Sequence, residues 1–355
     1  MTEESPATSH LPVAMTTTEV DEMHGTENTT TSSVSRSSGF YFQYAVIAIG
    51  IVGTAANALI LYALVASKQH KKHVLIVNQN VFDLFSSIFL VITYAMEICN
   101  IPLIGLLGYW VCMIILSDFL IWCGIIGSVI NLAIITIERY LKVVHPFWSK
   151  KKLHRWVIYS AMAFAWIAAI TKNAGVVFPT SALIDGVCYV AVNWESKTAK
   201  LIHLFWHVVS FYVIILLIFI FCYWRILIVI RRQAKVMAAH GSSTTQAKKH
   251  KIQSNVIKTM ILVSAFYAIS WLPNSIIMML INLNSTLPFL LYGYFVSLFV
   301  GFLYTCTNPF IYATKFDPVK QVLLRMNPFK KTSEPSTGTT INVATATTRA
   351  AHAPN

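Results

Sequence analysis

Glu138 and Arg139 stand side by side in IITIERYLKVVHP, at the end of a long apolar run. A charge at the centre of a bilayer helix costs about 2.5–3.5 kcal/mol, so such a pair belongs at a membrane boundary or serves a function. Asp83, in NQNVFD, lies deep within another apolar run, where a carboxylate must be neutral, hydrogen-bonded or matched to a cation. His203 and His207 are four residues apart on one helical face, a spacing that can hold zinc or simply line a pocket. Pro273 in SWLPN and Pro309 in TNPFIY fall inside apolar runs, where each removes a backbone hydrogen bond and leaves a joint. No nucleophile–base arrangement, metal-ligand cluster or phosphate loop accompanies them, which argues against an enzyme.

The elements that position these residues follow from composition. The 355 residues are 56% hydrophobic and only 12% charged, a balance that a soluble domain with a polar surface could hardly sustain. Crossing about 30 Å of hydrocarbon takes about 20 helical residues. Seven runs meet that length, near 41–65, 74–94, 108–137, 156–179, 201–224, 259–283 and 287–314. Lys172 interrupts the fourth, close enough to its end to snorkel outward. The expected fold is an all-α membrane protein, a seven-transmembrane helix bundle spanning 41–315. Residues 1–40 read as a disordered Ser/Thr-rich tail with no signal-peptide core, and 328–355 as a second disordered tail. With the N-terminus extracellular, 23 of the 27 Lys and Arg fall on the inner side, leaving Arg36, Lys172, Lys197 and Lys200 outside. The net charge of +13 therefore describes a cytosolic face suited to anionic lipid and acidic partners, and is no sign of nucleic-acid binding.

Cys123, Cys222 and Cys306 fall inside spans, while Cys99, Cys112 and Cys188 fall at the outer ends, where oxidation is permitted. Asn28 and Asn284 open glycosylation sequons on the outer side. Asp317-Pro318 reads as an N-cap with proline at the first helical position, starting a short amphipathic cytosolic helix within 316–327.

Taken together, Glu138-Arg139-Tyr140, Trp271 with Pro273, and Asn308-Pro309 with Tyr312 resemble the signatures of rhodopsin-like (class A) G-protein-coupled receptors, each on the expected helix, over about residues 41–326. Asn57, Asp83, Trp166 and Tyr223 match the positions that anchor the other helices. The resemblance implies that the resting receptor holds Arg139 with Glu138. Activation would swing the sixth helix outward about the Trp271/Pro273 and Asn308/Pro309 joints, turn Tyr223 and Tyr312 inward, and admit a heterotrimeric G protein. It also implies a sodium pocket of Asp83, Ser128, Thr305 and Asn308, for which a protonated acid in a polar network is the alternative. A Cys112–Cys188 disulfide is implied as well, although Cys112 lies about two residues farther from Arg139 than the family spacing, which leaves Cys99 open as a substitute.

Other departures carry expectations. Gln253 stands where some relatives have a glutamate that locks the arginine, which points to appreciable basal signalling. Ile215 replaces the usual proline of the fifth helix, Tyr267 the usual Phe of the sixth and Ser270 the usual Cys. By family position the ligand pocket takes Ile121, Trp122, Ile125 and His207 from one side and Trp271, Asn274, Ser275, Met278, Leu298 and Phe302 from the other, with Asp118 one turn above. Ile121 occupies the place of the amine-binding aspartate, which argues against a standard amine receptor unless Asp118 takes that part. No lysine occurs between Lys258 and Lys315, and Phe302 occupies the retinal-lysine position, so no retinal and no other cofactor is expected. On the outer side ten acids oppose four bases, steering toward a cationic ligand, with a peptide favoured over an amine or lipid. The C-terminal Ser/Thr cluster implies receptor kinases and arrestin as partners at the plasma membrane, while the lack of a cysteine after Cys306 rules out a palmitoyl anchor there. A multi-pass transporter or channel is the alternative from another class. It calls for internal repeats or several intramembrane charges along a pathway, neither of which is present.

Overall fold

The computed structural model describes residues 29–190, 194–239, 244–283, 288–315 and 317–326, so both sequon asparagines, Asn28 and Asn284, and the C-terminal Ser/Thr cluster lie outside the described residues. Its helices are α1 (Thr29–Ala66), α2 (Val74–Cys99), α3 (Gly105–Val111), α4 (Phe119–Val144), α5 (Pro146–Lys152) and α6 (Arg155–Thr180). After a hairpin of β1 (Ala182–Ile184) and β2 (Val187–Tyr189) come α7 (Lys197–Val208), α8 (Ile214–Ala239), α9 (Thr244–Leu283), α10 (Pro288–Lys315) and α11 (Asp317–Met326). Seven stretches are long and apolar enough to span a membrane, with α3 and α4 forming one and α7 and α8 another. Helices suit this setting because they bond their backbone groups within their own segment, apart from the few that a proline or a break frees. The apolar side chains they turn outward, such as Ile167, Leu217, Phe221 and Trp224, stay exposed and face lipid.

Two spans are interrupted by wider π turns. In the third, the chain widens at Cys112–Leu116 and then breaks at Asp118, which adopts the left-handed conformation at φ 57°. The extra residues between Cys112 and Arg139 are taken up here, because a π turn adds a residue to the helix without extending it in proportion. In the fifth span a π turn at Val209–Val213 precedes the buried Ile215, so the helix widens there without a proline.

Helix contacts depend on small residues and on recruited carbonyls. A Cβ at Gly127 would lie 2.1 Å from the Phe82 ring, and one at Gly301 would lie 2.9 Å from the Trp271 ring, so both glycines admit an aromatic side chain from a neighbouring helix. Pro309 cannot donate to the carbonyl of Thr305. Asn57 Nδ2 donates to that carbonyl at 3.0 Å instead, tying α1 to α10 where the latter is weakened. At the inner end α11 packs on α1 and α10, with Val319 fully buried.

The hairpin departs from the all-helical expectation. Asp185 and Gly186, at φ 50° and 76°, form a two-residue turn with both φ positive, the geometry that matches strand twist, and Leu183 pairs with Cys188 across it.

Candidate functional site

At the inner end, Arg139 Nε lies 3.1 Å from Glu138 Oε2, while Lys142 Nζ contacts Glu138 Oε1 one turn along. The carboxylate is buried and thus shared by two cations. Arg139 Nη2 also lies 3.4 Å from His73 Nδ1. These groups, with Lys71, Lys72 and Arg155, line a basic recess of about 140 Å³. Gln253 is exposed, and among the described residues no acid of α9 pairs with the arginine. Tyr140 is bonded to His145 at 3.2 Å, and Tyr223 to Thr136 at 2.9 Å and Ser264 at 3.0 Å. The Tyr312 hydroxyl is buried without a hydrogen-bond partner.

Burial, then the positive charges of Arg139, Lys72 and Lys142, push the His73 imidazole from its ordinary 6.5 down to about 4. It is therefore neutral at cytosolic pH and accepts from the arginine. The unfolded chain binds more protons between those two values, so this residue's contribution to stability is lost as pH falls from 6.5 toward 4. Thermal unfolding of solubilised receptor across that window should show a shallower acid dependence for His73→Gln; identical slopes would rule the contribution out.

In mid-membrane, a chain of hydrogen bonds crosses the bundle. Trp166 Nε1 donates to Asn78 Oδ1 at 3.1 Å, Asn78 to Asn131 at 2.9 Å, and Asn131 to Gln79 at 2.8 Å. Gln79 donates to Ser128, which donates to Asp83 Oδ1 at 2.7 Å. Asn308 Nδ2 closes the chain on Asp83 Oδ2 at 2.8 Å. The sequence reading missed Asn78, Gln79 and Asn131, although three consecutive amide residues, Asn78 to Asn80, in an apolar helix were a signal. Thr305 donates to the Phe302 carbonyl at 2.9 Å rather than to Asp83.

At the outer end a cavity of about 230 Å³ opens between the helices. Of the residues assigned to it from sequence, Asp118, Trp122, His207, Asn274, Met278 and Leu298 line it. Ile121, Ile125, Trp271, Ser275 and Phe302 do not. Ile121, Ile125, Trp271 and Phe302 are buried in the core, and Ser275 turns its hydroxyl back to the Trp271 carbonyl at 2.9 Å. Lys172 is a further correction. It does not snorkel outward but lines the cavity, donating to Ser210 Oγ at 2.9 Å. Ala165, Ala169 and Lys172 recur at helical spacing, and the two alanines are fully buried, so the lysine shares their inward face. Tyr94, Asn173 and Tyr294 also line the cavity and were missed.

His203 and His207 stack among aromatic rings, Trp194 lying 5.2 Å from the first and Trp122 6.1 Å from the second. No group of three or more metal-ligating side chains occurs among the described residues, so the pair lacks the third ligand zinc would need. Below the cavity, Trp122 meets Trp271 at 5.6 Å and Trp271 meets Phe211 at 5.3 Å. Phe211 meets Tyr267 at 5.9 Å, and Tyr267 meets Tyr304 at 5.7 Å. Tyr304 reaches Ser128 at 3.4 Å, so an aromatic column joins the cavity floor to the Asp83 network. Tyr267 uses the hydroxyl that a phenylalanine would lack to donate to the Phe211 carbonyl, holding α9 against the fifth span.

This arrangement is that of a seven-helix receptor, and a sequence model described as "7 transmembrane receptor (rhodopsin family)" matches residues 56–312. The chain belongs to that family, the rhodopsin-like (class A) G-protein-coupled receptors, and is a multi-pass plasma-membrane protein. Among curated relatives it is 26% identical to trace amine-associated receptor 6 of Rattus norvegicus, over 56% of this chain and 59% of that one. It is 24% identical to galanin receptor type 1 of Mus musculus, over 65% and 64%, and 26% identical to neuropeptide Y receptor type 4 of Mus musculus, over 58% and 59%. The chain thus spans less than two thirds of the length of each of these relatives. The crystal structure of squid rhodopsin superposes with a TM-score of 0.69 at 17% identity, covering 90% of this chain and 91% of that one, which shows a shared fold.

Proposed function

We propose that this protein binds an extracellular ligand in the outer cavity and activates a heterotrimeric G protein through outward movement of α9 and release of Arg139 from Glu138. The observation that carries the reading is the continuous column from Trp122 through Trp271, Phe211, Tyr267 and Tyr304 to Asp83, which couples the cavity to the half of the bundle that holds Arg139. A two-state element of this kind can be biased from both ends. A peptide ligand is favoured by the negative outer face and by the peptides named in two of the relatives, galanin and neuropeptide Y. A second reading, an amine, draws support from Asp118 inside the cavity.

A sodium ion fits the residues around Asp83. The buried Asp83 carboxylate and the Ser128 hydroxyl supply oxygens suited to a hard cation, and Asn308, which now turns Nδ2 to Asp83, would add its unpartnered Oδ1 if the amide turned over. Asp83, Ser128 and Asn308 would hold it, and its charge would offset that of the carboxylate. Retinal has no place in the reading, since Phe302 stands where the Schiff-base lysine would be.

The test is GTPγS loading of a panel of Gα subunits by membranes carrying the wild type or Arg139→Ala at matched surface expression. A signal that falls at least about tenfold with the substitution, equivalent to about 1.4 kcal/mol, supports the mechanism and names the G-protein class. Loading that survives the substitution rejects Arg139 as the switch.

A further inference from the structure

An acidic and a basic side chain face the outer cavity, and neither has an ion-pair partner among the described residues. Asp118 begins α4 in the left-handed conformation, makes no capping hydrogen bond with its side chain, and leaves Oδ1 buried without a partner. Lys172 approaches from α6, held by Ser210 at 2.9 Å and lying 5.9 Å from the centroid of the Phe211 ring. Lys200 also lines the cavity. The only ion pairs among the described residues are those of Glu138 at the opposite end of the bundle, so Asp118 and Lys172 are more than 4.0 Å apart and do not neutralise each other.

Taking an ion out of water is costly unless it is paired, so the partly withdrawn Asp118 and Lys172 each gain from a ligand group of opposite charge, which for Asp118 favours the carboxylate over the neutral acid. A ligand with a positive group at one end and a negative group at the other would satisfy both. We propose that the cavity binds a zwitterion of amino-acid to dipeptide size, with a primary ammonium on Asp118 and a carboxylate directed to Lys172. The ammonium supplies donors to the orphaned Oδ1, and the carboxylate accepts from Lys172 and Lys200. Trp122 and Tyr294, also on the cavity wall, leave an apolar midsection between the two ends. The inference deepens the receptor reading and rests on it only for the consequence of binding, not for the binding itself.

The test uses purified full-length receptor in lipid nanodiscs without G protein. A homologous series of aliphatic ω-amino acids and the dipeptides Ala-Ala and Ala-Phe are screened at millimolar concentration by saturation-transfer NMR. Each is matched to its N-acetyl and carboxamide analogues. The expected result is saturable binding by members of the series, weakened at least about tenfold by blocking either end. Asp118→Asn, which retains an αL-tolerant residue, should lose discrimination against the N-acetyl compound, and Lys172→Met should lose discrimination against the carboxamide. Without ligand, both variants should melt at or above the wild-type temperature, because each removes a partly buried ionisable group that lacks an ion-pair partner. Absence of saturable binding, binding indifferent to blocking, or a lower melting temperature for Asp118→Asn would each overturn the proposal, the last by showing a structural carboxylate. A free small molecule and the charged end of a longer peptide share this chemistry. Retained binding of C-terminally extended Gly-Glu peptides assigns the peptide source, and its loss assigns the small molecule. Coupling is measured separately by the GTPγS assay, so failure of one leaves the other standing.

Discussion

Glu138→Gln is expected to raise agonist-independent GTPγS loading several-fold at equal surface expression. Arg139 Nε and Glu138 Oε2 form an ion pair at 3.1 Å without hydrogen-bond geometry; a partly shielded pair of this kind is worth about 1 kcal/mol, and each 1.4 kcal/mol is about a factor of ten in an equilibrium. The Arg139 side chain is 19% exposed and the Glu138 side chain 8%, so screening reduces the effect without removing it. The glutamine keeps the size of Glu138 but removes the charge and replaces one of its two acceptor oxygens with an NH2 donor, so it cannot accept from both Arg139 and Lys142. Nothing on α9 compensates, because Gln253 is exposed and carries no charge. The geometry also predicts the opposite sign at a neighbour. Lys142 competes for the same carboxylate, and Lys142→Gln should leave Glu138 to Arg139 alone and lower basal loading. This second effect should be smaller, since the Lys142 side chain is 42% exposed. In a double variant the Lys142 effect should vanish, since it acts only through Glu138. Equal basal loading in the wild type and Glu138→Gln would sink the assignment of this pair as the restraint.

Much of this site could be read from the residues alone, because charged and proline-containing motifs in apolar helices stand out against their surroundings. The seven spans follow from apolar length, and Arg139 falls at a boundary by counting along the helix. What could not be read depends on how helices turn relative to one another. The spacing between Cys112 and Arg139 showed a surplus but not where it is absorbed, since neither the π turn at Cys112–Leu116 nor the left-handed Asp118 has a distinctive residue pattern. Ile121 and Ile125 were assigned to the cavity by register, and the structure brings Ser117 and Ile126 to it beside Asp118 and Trp122 instead. Lys172 was legible in principle from the spacing of Ala165 and Ala169, but a lysine near a helix end invites the snorkelling reading. The hairpin carried a local signal in Asp185-Gly186 between two short apolar runs, which the overall helical composition obscured.

The second large effect is expected at the Cys112–Cys188 disulfide. The bond joins residues 76 apart, with Cα atoms at 5.4 Å, and fastens β2 to the start of the third span. Loop entropy alone assigns such a link about 4–5 kcal/mol in a soluble chain. The bilayer already restricts the separated helices, so the contribution here should be nearer the lower end of the usual range, about 2 kcal/mol. Cys112 and Met113 are fully buried beneath Leu183 of the hairpin, so the loss should concentrate at the outer end. Cys112→Ser should therefore abolish cavity binding, read by the same NMR screen, while the Glu138-dependent basal signal of the molecules that reach the surface persists. Surface expression should fall severalfold. Cys99 offers no rescue, because it is free and exposed at the end of α2, beyond which Asn100 turns the chain into the left-handed conformation. The double variant Cys112→Ser/Cys188→Ser separates the lost tether from harm done by a stray thiol, since only the former leaves single and double variants alike. Cavity binding that survives in either would show that the hairpin holds its place by packing, and that the disulfide is not what keeps Lys172 and Asp118 facing one cavity.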